Sequence, residues 1–227
     1  MKLIIFDVYG TLLDVYSIRS RCEEFAPGKG ELISNVWRVK QIDYTRLRSM
    51  HGKTKYKSFW ELTKDSLNYA LNFAEVLLSS QQMEVLMAEY SKLDAFPENL
   101  VVLNHLKSKG YNLGVLSNGN ASMLDTALKA SGIFPLLDCI ISADELQLYK
   151  IDPKVYELIQ RYNNVELDDI LFVSSNFWDI TGAGWCGLKT FWVNRANEQP
   201  EVLDYVPDNN GKNLTDLKVF LINKKNG

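Results

Sequence analysis

Apolar residues recur along this chain in short runs that each end at small or polar residues. Each run has the length and composition of a buried strand. The runs are LIIF (3–6), LGVL (113–116), CII (139–141), ILFV (170–173) and TFWV (190–193). Amphipathic stretches with helical spacing lie at 122–131 and 153–162, and Pro153 suits the first turn of the second stretch. This alternation predicts an α/β fold, in which a parallel sheet carries helices on both faces.

Residues 15–95 interrupt this alternation, because they hold no strong strand pattern. The helices predicted in this segment lie at 35–50, 56–67 and 81–93. We therefore expect a helical cap subdomain at 15–95, inserted after the first strand of a core domain formed by residues 1–14 and 96–227. In the C-terminal tail, residues 206–212 are rich in turn formers, and residues 214–222 fit either a closing helix or a strand.

The composition places the chain among ordinary globular proteins. Its 227 residues can bury a sizeable core, with 46% hydrophobic and 23% charged residues. A net charge of −3 provides no basic field for nucleic acid or an anionic membrane surface. No apolar run reaches the roughly 18 residues of a membrane helix, and the first run is too short for a signal peptide. We therefore expect a cytoplasmic protein without a nucleic-acid or membrane partner.

The three cysteines, Cys22, Cys139 and Cys186, are far apart in the chain and form no CxxC pair. An odd number of cysteines at these spacings argues against a disulfide framework and against a zinc site. We expect all three to be small core residues.

The first apolar run delivers a single carboxylate, Asp7, to a glycine turn in the stretch LIIFDVYGTLLD. Open parallel sheets bind their ligands at the carboxyl ends of the strands. An acid at this point is therefore a candidate metal ligand, general base or nucleophile. Taken alone, an aspartate three residues before a glycine also fits a turn carboxylate. The residues at the other strand ends are needed to decide between these interpretations.

Polar and charged residues follow two of the later runs. Ser117, Asn118 and Gly119 combine side-chain donors with a glycine that lets backbone amides approach a ligand, which suits an anion. The start of a helix is the simpler interpretation of these three residues. Lys150 follows the third run, where its charge can orient Asp7, although a lone lysine is more often a solvated surface residue.

The stretch FVSSNFWDITGAG is the richest in candidate chemistry. Ser174, Ser175 and Asn176 follow the fourth run, and Trp178 and Asp179 come just beyond. An indole beside polar groups can form the wall of a small pocket. Asp179 can pair with Lys150 or hold a water molecule. The alternative is that Asp179 caps a helix that begins at the next residue.

In the predicted cap subdomain, Arg38, Gln41, Ile42 and Thr45 recur on one face of a predicted helix. A guanidinium on a face mixed with apolar residues can cover the site from above and bind an anion. A solvent-facing arginine is the alternative for this residue in isolation.

Together these polar groups resemble, in identity and order, the haloacid dehalogenase (HAD) superfamily, and in detail its L-2-haloacid dehalogenase (type II) branch. The stretches WRxKQxxYTxLRS at 37–49, AFPE at 95–98 and VNR at 193–195 extend the resemblance over nearly the whole chain. The resemblance implies a HAD-like, Rossmann-like core with an inserted helical cap and an active site between the two. It also implies a homodimer, which is common in this branch.

The resemblance implies roles for individual residues. Asp7 resembles the nucleophile, and Thr11 resembles the residue that orients it. Arg38 and Asn118 resemble the groups that accept the departing halide, and Arg38 also resembles a group that steers the anionic substrate. Ser117, with the adjoining backbone amides, resembles the seat of the substrate carboxylate. The remaining matches are a polar shell of Lys150, Tyr156, Ser174, Asn176 and Asp179 around the nucleophile and the hydrolytic water, and pocket walls of Tyr9, Ile42 and Trp178.

The implied reaction is the hydrolytic dehalogenation of (S)-2-haloacids (L-2-haloalkanoates) to (R)-2-hydroxy acids, with inversion at C2. It passes through an ester on Asp7, which is hydrolysed by water that Asp179 activates with help from Lys150. A halide leaves as a stable anion and needs no proton. The resemblance therefore implies that the small-molecule 2-haloalkanoate reacts without a cofactor or a metal.

The superfamily also contains phosphatases that use the same first aspartate, so a HAD-type phosphatase or another small-molecule hydrolase is the alternative. Those enzymes have a second aspartate as general acid where this chain has Tyr9. They hold Mg²⁺ with acidic residues where this chain has Ser174, Ser175 and Asn176. A protein that keeps the fold for a non-catalytic interaction is a further alternative.

Two positions depart from the branch pattern. Val39 stands where we expect glutamine, a change that can alter substrate fit. Ile151 stands where proline is usual, a change that should only loosen a turn.

Overall fold

The computed structural model describes residues 1–226 of the chain, with the side chains of residues 1–223. Its strands form one parallel sheet in the order β3–β2–β1–β4–β5–β6. The strands are β1 (Leu3–Phe6), β2 (Asn112–Ser117), β3 (Cys139–Ser142), β4 (Ile170–Ser174), β5 (Lys189–Val193) and β6 (Asn209–Gly211). The five strands predicted from apolar runs are all present in this sheet.

The sixth strand corrects the prediction of turns over 206–212. Asn209–Gly211 pairs in parallel with β5, and Asn194 N donates to Gly211 O at 2.8 Å. This edge strand consists of two asparagines and a glycine, so only its backbone hydrogen bonds make it a strand. No hydrophobic pattern marks such a segment in the sequence.

The helices lie before, between and after the strands. They are α1 (Arg19–Phe25), α2 (Gly30–His51), α3 (Phe59–Phe73), α4 (Ser80–Tyr90), α5 (Asn99–Ser108), α6 (Ala121–Ala130), α7 (Pro153–Asn163), α8 (Phe177–Trp185) and α9 (Leu214–Asn226). All the predicted helices are present, although α1 and α5 were not predicted. Residues 214–222, for which the sequence allowed either a helix or a strand, belong to the helix α9.

Local capping explains where two of these helices begin. Ser58 accepts from Glu61 N and its backbone is bound by the Glu61 side chain, which forms a capping box for α3. Ser79 and Gln82 form the same arrangement at the start of α4. These boxes place the helix starts at 59 and 80, close to the predicted starts at 56 and 81.

The sheet buries both of its faces under helices. In β1, Ile4 and Phe6 point into one hydrophobic cluster, and Leu3 and Ile5 point into another. Successive strand residues face opposite sides, so a strand covered on both sides must be apolar throughout. This is the physical reason for the continuous run LIIF, and it confirms the predicted α/β arrangement.

Helices α1 to α4 follow β1 in the chain. After α4 the chain returns to the sheet beside the segment by which it left. Asp14 N donates to Asp94 O at 2.8 Å, and Leu13 forms an antiparallel bridge with Ala95. The two connections therefore run side by side, and they carry α2 next to the carboxyl end of β1. Among the described residues, no helix is both long enough and apolar enough to span a membrane.

Candidate active site

The carboxyl end of β1 places Asp7 at the edge of the sheet. Asp7 N donates to Val173 O at 2.9 Å, which extends the pairing of β1 with β4 by one residue. The chain then turns at Gly10, whose φ of +99° lies in the left-handed region that favours glycine. A Cβ at this position would lie 3.4 Å from Ser175 Oγ and 3.7 Å from the guanidinium of Arg38. The turn thus lets groups from β4 and α2 approach the carboxylate.

A buried lysine bridges two aspartates at this edge. Lys150 Nζ lies 3.0 Å from Asp7 Oδ1 and 2.9 Å from Asp179 Oδ2. The lysine is 1% exposed, Asp179 is 0% exposed and Asp7 is 5% exposed. The Tyr156 hydroxyl donates to Asp179 Oδ1 at 2.8 Å, so both oxygens of that carboxylate have donors. Of the alternatives that the sequence left open for Asp179, the pairing with Lys150 is present.

Burial and charge act against each other on the pKa values of this cluster. Burial would lower the pKa of Lys150, but Asp179 and Asp7 outweigh it and raise that pKa above its ordinary value. Burial raises the pKa of Asp179 to about 6, against the opposing effect of Lys150. Burial also raises the pKa of Tyr156 well above its ordinary value. At neutral pH the lysine is thus a cation, the tyrosine is a hydrogen-bond donor, and Asp179 is able to accept a proton.

Two neutral side chains hold the other oxygen of Asp7. Thr11 Oγ1 donates to Asp7 Oδ2 at 2.9 Å, and Asn176 Nδ2 donates to the same oxygen at 3.0 Å. Thr11 Oγ1 is itself fixed by Ser175 N at 2.8 Å, and Ser174 Oγ accepts from Asn176 N at 3.1 Å. These bonds orient the carboxylate from both sides without supplying a second acid.

Arg38 reaches the site from α2. Its Nη2 donates to Tyr9 O at 2.8 Å and to Asn176 Oδ1 at 3.3 Å, and its Nη1 donates to Gln41 Oε1 at 2.9 Å. All three acceptors are neutral, and none of the described carboxylates lies within ion-pair distance of this guanidinium. A guanidinium has five N–H groups, so these bonds leave both charge and donors for an anion.

The end of β2 contributes Ser117 and Asn118, which are buried. Asn118 Oδ1 accepts from Lys150 N at 2.9 Å, which leaves the NH₂ end of the amide as the donor for a ligand. Ser117 Oγ accepts from Gly119 N at 3.1 Å, so that amide is already bound within the loop. The predicted seat for a carboxylate therefore has the Ser117 hydroxyl proton as its available donor rather than the amide of Gly119.

Two of the three side chains predicted as pocket walls, Tyr9 and Ile42, are buried. Tyr9 is 3% exposed, and its ring lies 5.5 Å from that of Phe59 and 6.0 Å from that of Tyr90. The Tyr9 hydroxyl has no hydrogen-bond partner among the described residues. Ile42 is buried one turn after Arg38. These are two of the three predicted wall residues.

The third predicted wall residue, Trp178, is half-buried beneath the guanidinium of Arg46, which lies 5.2 Å from the ring centre. A cavity of about 330 Å³ lies beside it, and its lining includes Arg38, Asn176 and Arg195. Val39, the departure from the branch pattern on α2, is exposed. The cavity thus adjoins Arg38 and Asn176, and Asn176 is hydrogen-bonded to Asp7.

The ten polar residues predicted for the site lie in one connected set of strand ends and helix starts, with Arg38 added from α2. Ser175 and Gln41 also belong to this set, although the sequence pattern, which includes both residues, led to no predicted role for either. Ser175 Oγ donates to Gly10 O at 2.6 Å and its backbone holds Thr11. The position of Ser175 directly after a strand could have indicated a role in the site. For Gln41 the only indication was that it lies on the same helix face as Arg38.

The set of donors is poorly suited to a divalent cation. Asp7 and Asp179 are the two carboxylates at the centre, and the Lys150 ammonium lies between them. A cation held by both would have to displace or repel that charge. Among the described residues no group of three or more histidine, cysteine, aspartate or glutamate side chains is arranged to hold a metal.

The sequence profile of the haloacid dehalogenase-like hydrolases matches residues 1–187 of the chain. The chain is 39% identical over 208 residues to the (S)-2-haloacid dehalogenase of Pseudomonas sp. (strain YL), covering 92% of this chain and 89% of that protein. It is 40% identical over 202 residues to (S)-2-haloacid dehalogenase 4A of Burkholderia cepacia, covering 88% of this chain and 86% of that protein.

Solved structures agree with these relatives. The crystal structure of the L-2-haloacid dehalogenase RSc1362 superposes with a TM-score of 0.96 at 46% identity, covering 98% of this chain and 99% of that one. The L-2-haloacid dehalogenase from Xanthobacter autotrophicus with chloropropionic acid covalently bound superposes with a TM-score of 0.90 at 29% identity, covering 98% of each chain. The chain therefore belongs to the haloacid dehalogenase-like hydrolases and, within them, to the branch of the L-2-haloacid dehalogenases.

Proposed function

We propose that this hydrolase removes the halogen of (S)-2-haloalkanoates and produces (R)-2-hydroxy acids with inversion at C2. The observation that carries the proposal is the surroundings of Asp7, a buried carboxylate oriented by Lys150, Thr11 and Asn176 beside a guanidinium whose charge is not neutralised. The names of the relatives support the substrate class, since they are (S)-2-haloacid dehalogenases.

In the first step, an oxygen of Asp7 attacks C2 of the substrate from the side opposite the halogen. A carbon–oxygen bond forms, the carbon–halogen bond breaks, and the halide leaves with the bonding electron pair. Arg38 and the Asn118 NH₂ group receive this anion, which needs positive charge and donors but no proton. Attack from the back inverts C2 and leaves an ester on Asp7. The covalently bound chloropropionic acid in the Xanthobacter autotrophicus structure supports an intermediate of this kind.

In the second step, water attacks Cγ of the Asp7 ester. Asp179 takes the proton of the water, because its pKa of about 6 lets it act as a base near neutral pH. Lys150 stabilises the negative charge that develops on the ester. The bond between Cγ and the product oxygen then breaks, the 2-hydroxy acid takes up a proton, and Asp7 is restored. Tyr156, Ser174 and the remaining polar shell hold these groups in place.

The substrate is positioned by groups on both sides of the site. The Ser117 hydroxyl binds its carboxylate, and Arg38 attracts the anion. Tyr9, Ile42 and Trp178 form the walls around its alkyl group. No step uses a cofactor or a metal.

A phosphatase is the less favoured alternative for the same nucleophile. Phosphate transfer needs an acid for the leaving oxygen, and Tyr9 cannot supply the carboxyl group at that position. The Lys150 ammonium between Asp7 and Asp179 also opposes a magnesium ion there. Turnover of p-nitrophenyl phosphate with Mg²⁺ separates the two activities.

The test of the proposal is halide release from the two enantiomers of 2-chloropropionate in the presence of EDTA. The S enantiomer should release chloride and yield (R)-lactate, and the R enantiomer should remain. A lack of release from the S enantiomer, or a rate that depends on added Mg²⁺, would contradict the proposal. A single turnover in H₂¹⁸O tests the ester separately, since the label should enter Asp7 rather than the product.

We further propose that the protein is a cytoplasmic homodimer in which residues 15–95 act as a cap on a core of 1–14 and 96–227. Exposed apolar side chains on α2 and α3 support self-association. They are Leu47, Met50, Tyr69 and Phe73, and Leu47 and Tyr69 line one open groove. Sedimentation at micromolar concentration should give a dimer, and a monomer would contradict this part of the proposal.

A further inference from the structure

Gln41 is a fully buried amide that lies three residues after Arg38 in α2. Its Oε1 accepts from Arg38 Nη1 at 2.9 Å and from the Tyr90 hydroxyl at 3.0 Å. Its Nε2 donates to Thr63 Oγ1 at 2.7 Å. One side chain thus connects α2, α3 and α4 at the point where the guanidinium extends toward the site.

The orientation of this amide is determined by its neighbours. Thr63 Oγ1 donates its only proton to Phe59 O at 2.7 Å, so it can only accept from Gln41. The NH₂ end of the amide must therefore face Thr63, and the oxygen must face Arg38 and Tyr90. Trp37 Nε1 also donates to Thr63 O at 2.8 Å, which ties the same turn of α3 to α2. The oxygen that receives the guanidinium is consequently fixed in space.

The charge of Gln41 matters as much as its position. A carboxylate that holds an arginine orients the guanidinium and also neutralises it. Here the acceptors Gln41 Oε1, Tyr9 O and Asn176 Oδ1 are all neutral. They orient the guanidinium of Arg38 and leave its whole positive charge for a ligand.

We propose that Gln41 is a positioning residue for anion binding, which aims Arg38 at the substrate anion and the departing halide and preserves the charge of Arg38 because it is neutral. This inference rests on the proposed function, since it assigns Gln41 to the anion that Arg38 receives there. A glutamate at this position would keep the shape and the bonds that Oε1 accepts from Arg38 and Tyr90, but it would lose the donor to Thr63 and would neutralise the guanidinium.

The test compares Gln41→Glu with Gln41→Met, with Gln82→Glu as the control. Gln82 belongs to the capping box of α4, so a glutamate there makes the same chemical change away from Arg38. Calorimetry would measure the Kd of propionate and of bromide, which bind without reacting, and KM would be measured for (S)-2-chloropropionate. Gln41→Glu should raise all three values tenfold or more, Gln41→Met should raise them about two- to fivefold, and Gln82→Glu should leave them unchanged.

Stability should follow the opposite order, and this distinguishes positioning from a structural role. Gln41→Met loses all three hydrogen bonds and leaves the Tyr90 hydroxyl without its acceptor, whereas Gln41→Glu loses the bond to Thr63 and keeps those from Arg38 and Tyr90, so Gln41→Met should unfold at lower urea. A structural role alone would make the less stable variant the weaker binder. The inference is wrong if Gln41→Glu binds both anions within twofold of the wild type, or if Gln41→Met loses as much affinity as Gln41→Glu.

Two further outcomes are also decisive. If the glutamate variant does not fold, unchanged anion affinity in Gln41→Met overturns the positioning role, and weakened affinity supports it. If the wild type binds bromide and propionate but releases no halide from 2-chloropropionate, the proposed function fails. The Kd values of the variants still test Gln41 in that case.

Discussion

Two cations reach the candidate site from different parts of the molecule and are held in different ways. Lys150, which follows β3, is buried between the carboxylates of Asp7 and Asp179. Arg38, from α2, is only half-buried, and among the described residues it is bound by neutral oxygens. The first cation is neutralised by the protein, and the second is not.

Because of this difference, we expect Lys150 and Arg38 to contribute differently to stability and to anion binding. A buried charge whose partner is removed is strongly unfavourable, so Lys150 is needed for the fold as well as for orienting Asp7. A guanidinium without a carboxylate partner adds little to the fold, but it has its full attraction for an anion. Loss of Lys150 should therefore reduce stability and turnover together, whereas loss of Arg38 should reduce substrate affinity and halide release with little loss of stability.

The largest effect should come from Asp7, the proposed nucleophile. Asp7→Asn keeps the shape of the side chain but removes the charged nucleophile, so chloride release should fall at least about 10⁴-fold. Circular dichroism would check that the variant is folded. A folded variant that retained a tenth of the wild-type rate would rule out Asp7 as the nucleophile.

Lys150→Met tests the neutralised half of the comparison. It leaves two carboxylates facing each other in a buried site, so the free energy of unfolding should fall by about 3–5 kcal/mol. Urea denaturation measures this change. The control is Lys189→Met, which removes an exposed pair with Asp168 and should cost less than about 1 kcal/mol. Equal losses in the two variants would refute a special role for the buried cluster.

Arg38→Met tests the other half. KM for (S)-2-chloropropionate should rise about 30-fold or more, because the uncompensated charge that attracts the anion is lost. The free energy of unfolding should fall by less than half of the loss in Lys150→Met. Arg48→Met, on the same helix, is the control and should leave KM unchanged. The comparison fails if Arg38→Met is the less stable of the two site variants.

The pH dependence of turnover examines Asp179, the proposed base in the buried cluster. Asp179 must be ionised to accept a proton, so kcat should fall as pH decreases through its pKa of about 6. Tyr156→Phe removes a donor to the ionised form, which raises the pKa and should move this limb upward by about one pH unit. Tyr162→Phe, whose hydroxyl lies on the surface of the same helix and contacts Glu145, should leave the limb in place. An unshifted limb in Tyr156→Phe would indicate that another group titrates.

The smallest effect should come from Ser175, a neutral support of the turn after β1. Ser175→Ala removes the bond from Oγ to Gly10 O, so the free energy of unfolding should fall by about 1 kcal/mol. The backbone bond from Ser175 N to Thr11 remains, so kcat should stay within about threefold. A much larger loss of kcat would mean that the hydroxyl contacts the reacting groups. Urea denaturation and chloride release measure the two quantities.

Much of the core could be predicted from the sequence because its signals are local. A strand buried on both faces must be apolar along its whole length, so LIIF and ILFV marked β1 and β4 directly. Polar residues placed just after such strands necessarily meet at one edge, which brought Asp7, Asn176 and Lys150 into one predicted site. The short edge strand β6 escaped prediction because its stability lies in backbone pairing with β5.

The sequence by itself determined the α/β class, the position of Asp7 at a strand end and the family to which the pattern belongs. It could not determine how the two cations are compensated, because Asp7 and Lys150 are separated by 143 residues along the chain. Only the tertiary structure placed the ammonium between two carboxylates and set Arg38 against neutral oxygens, including that of Gln41. The free energy of a charge depends on the groups within a few ångströms of it, and periodicity along the chain does not specify those groups.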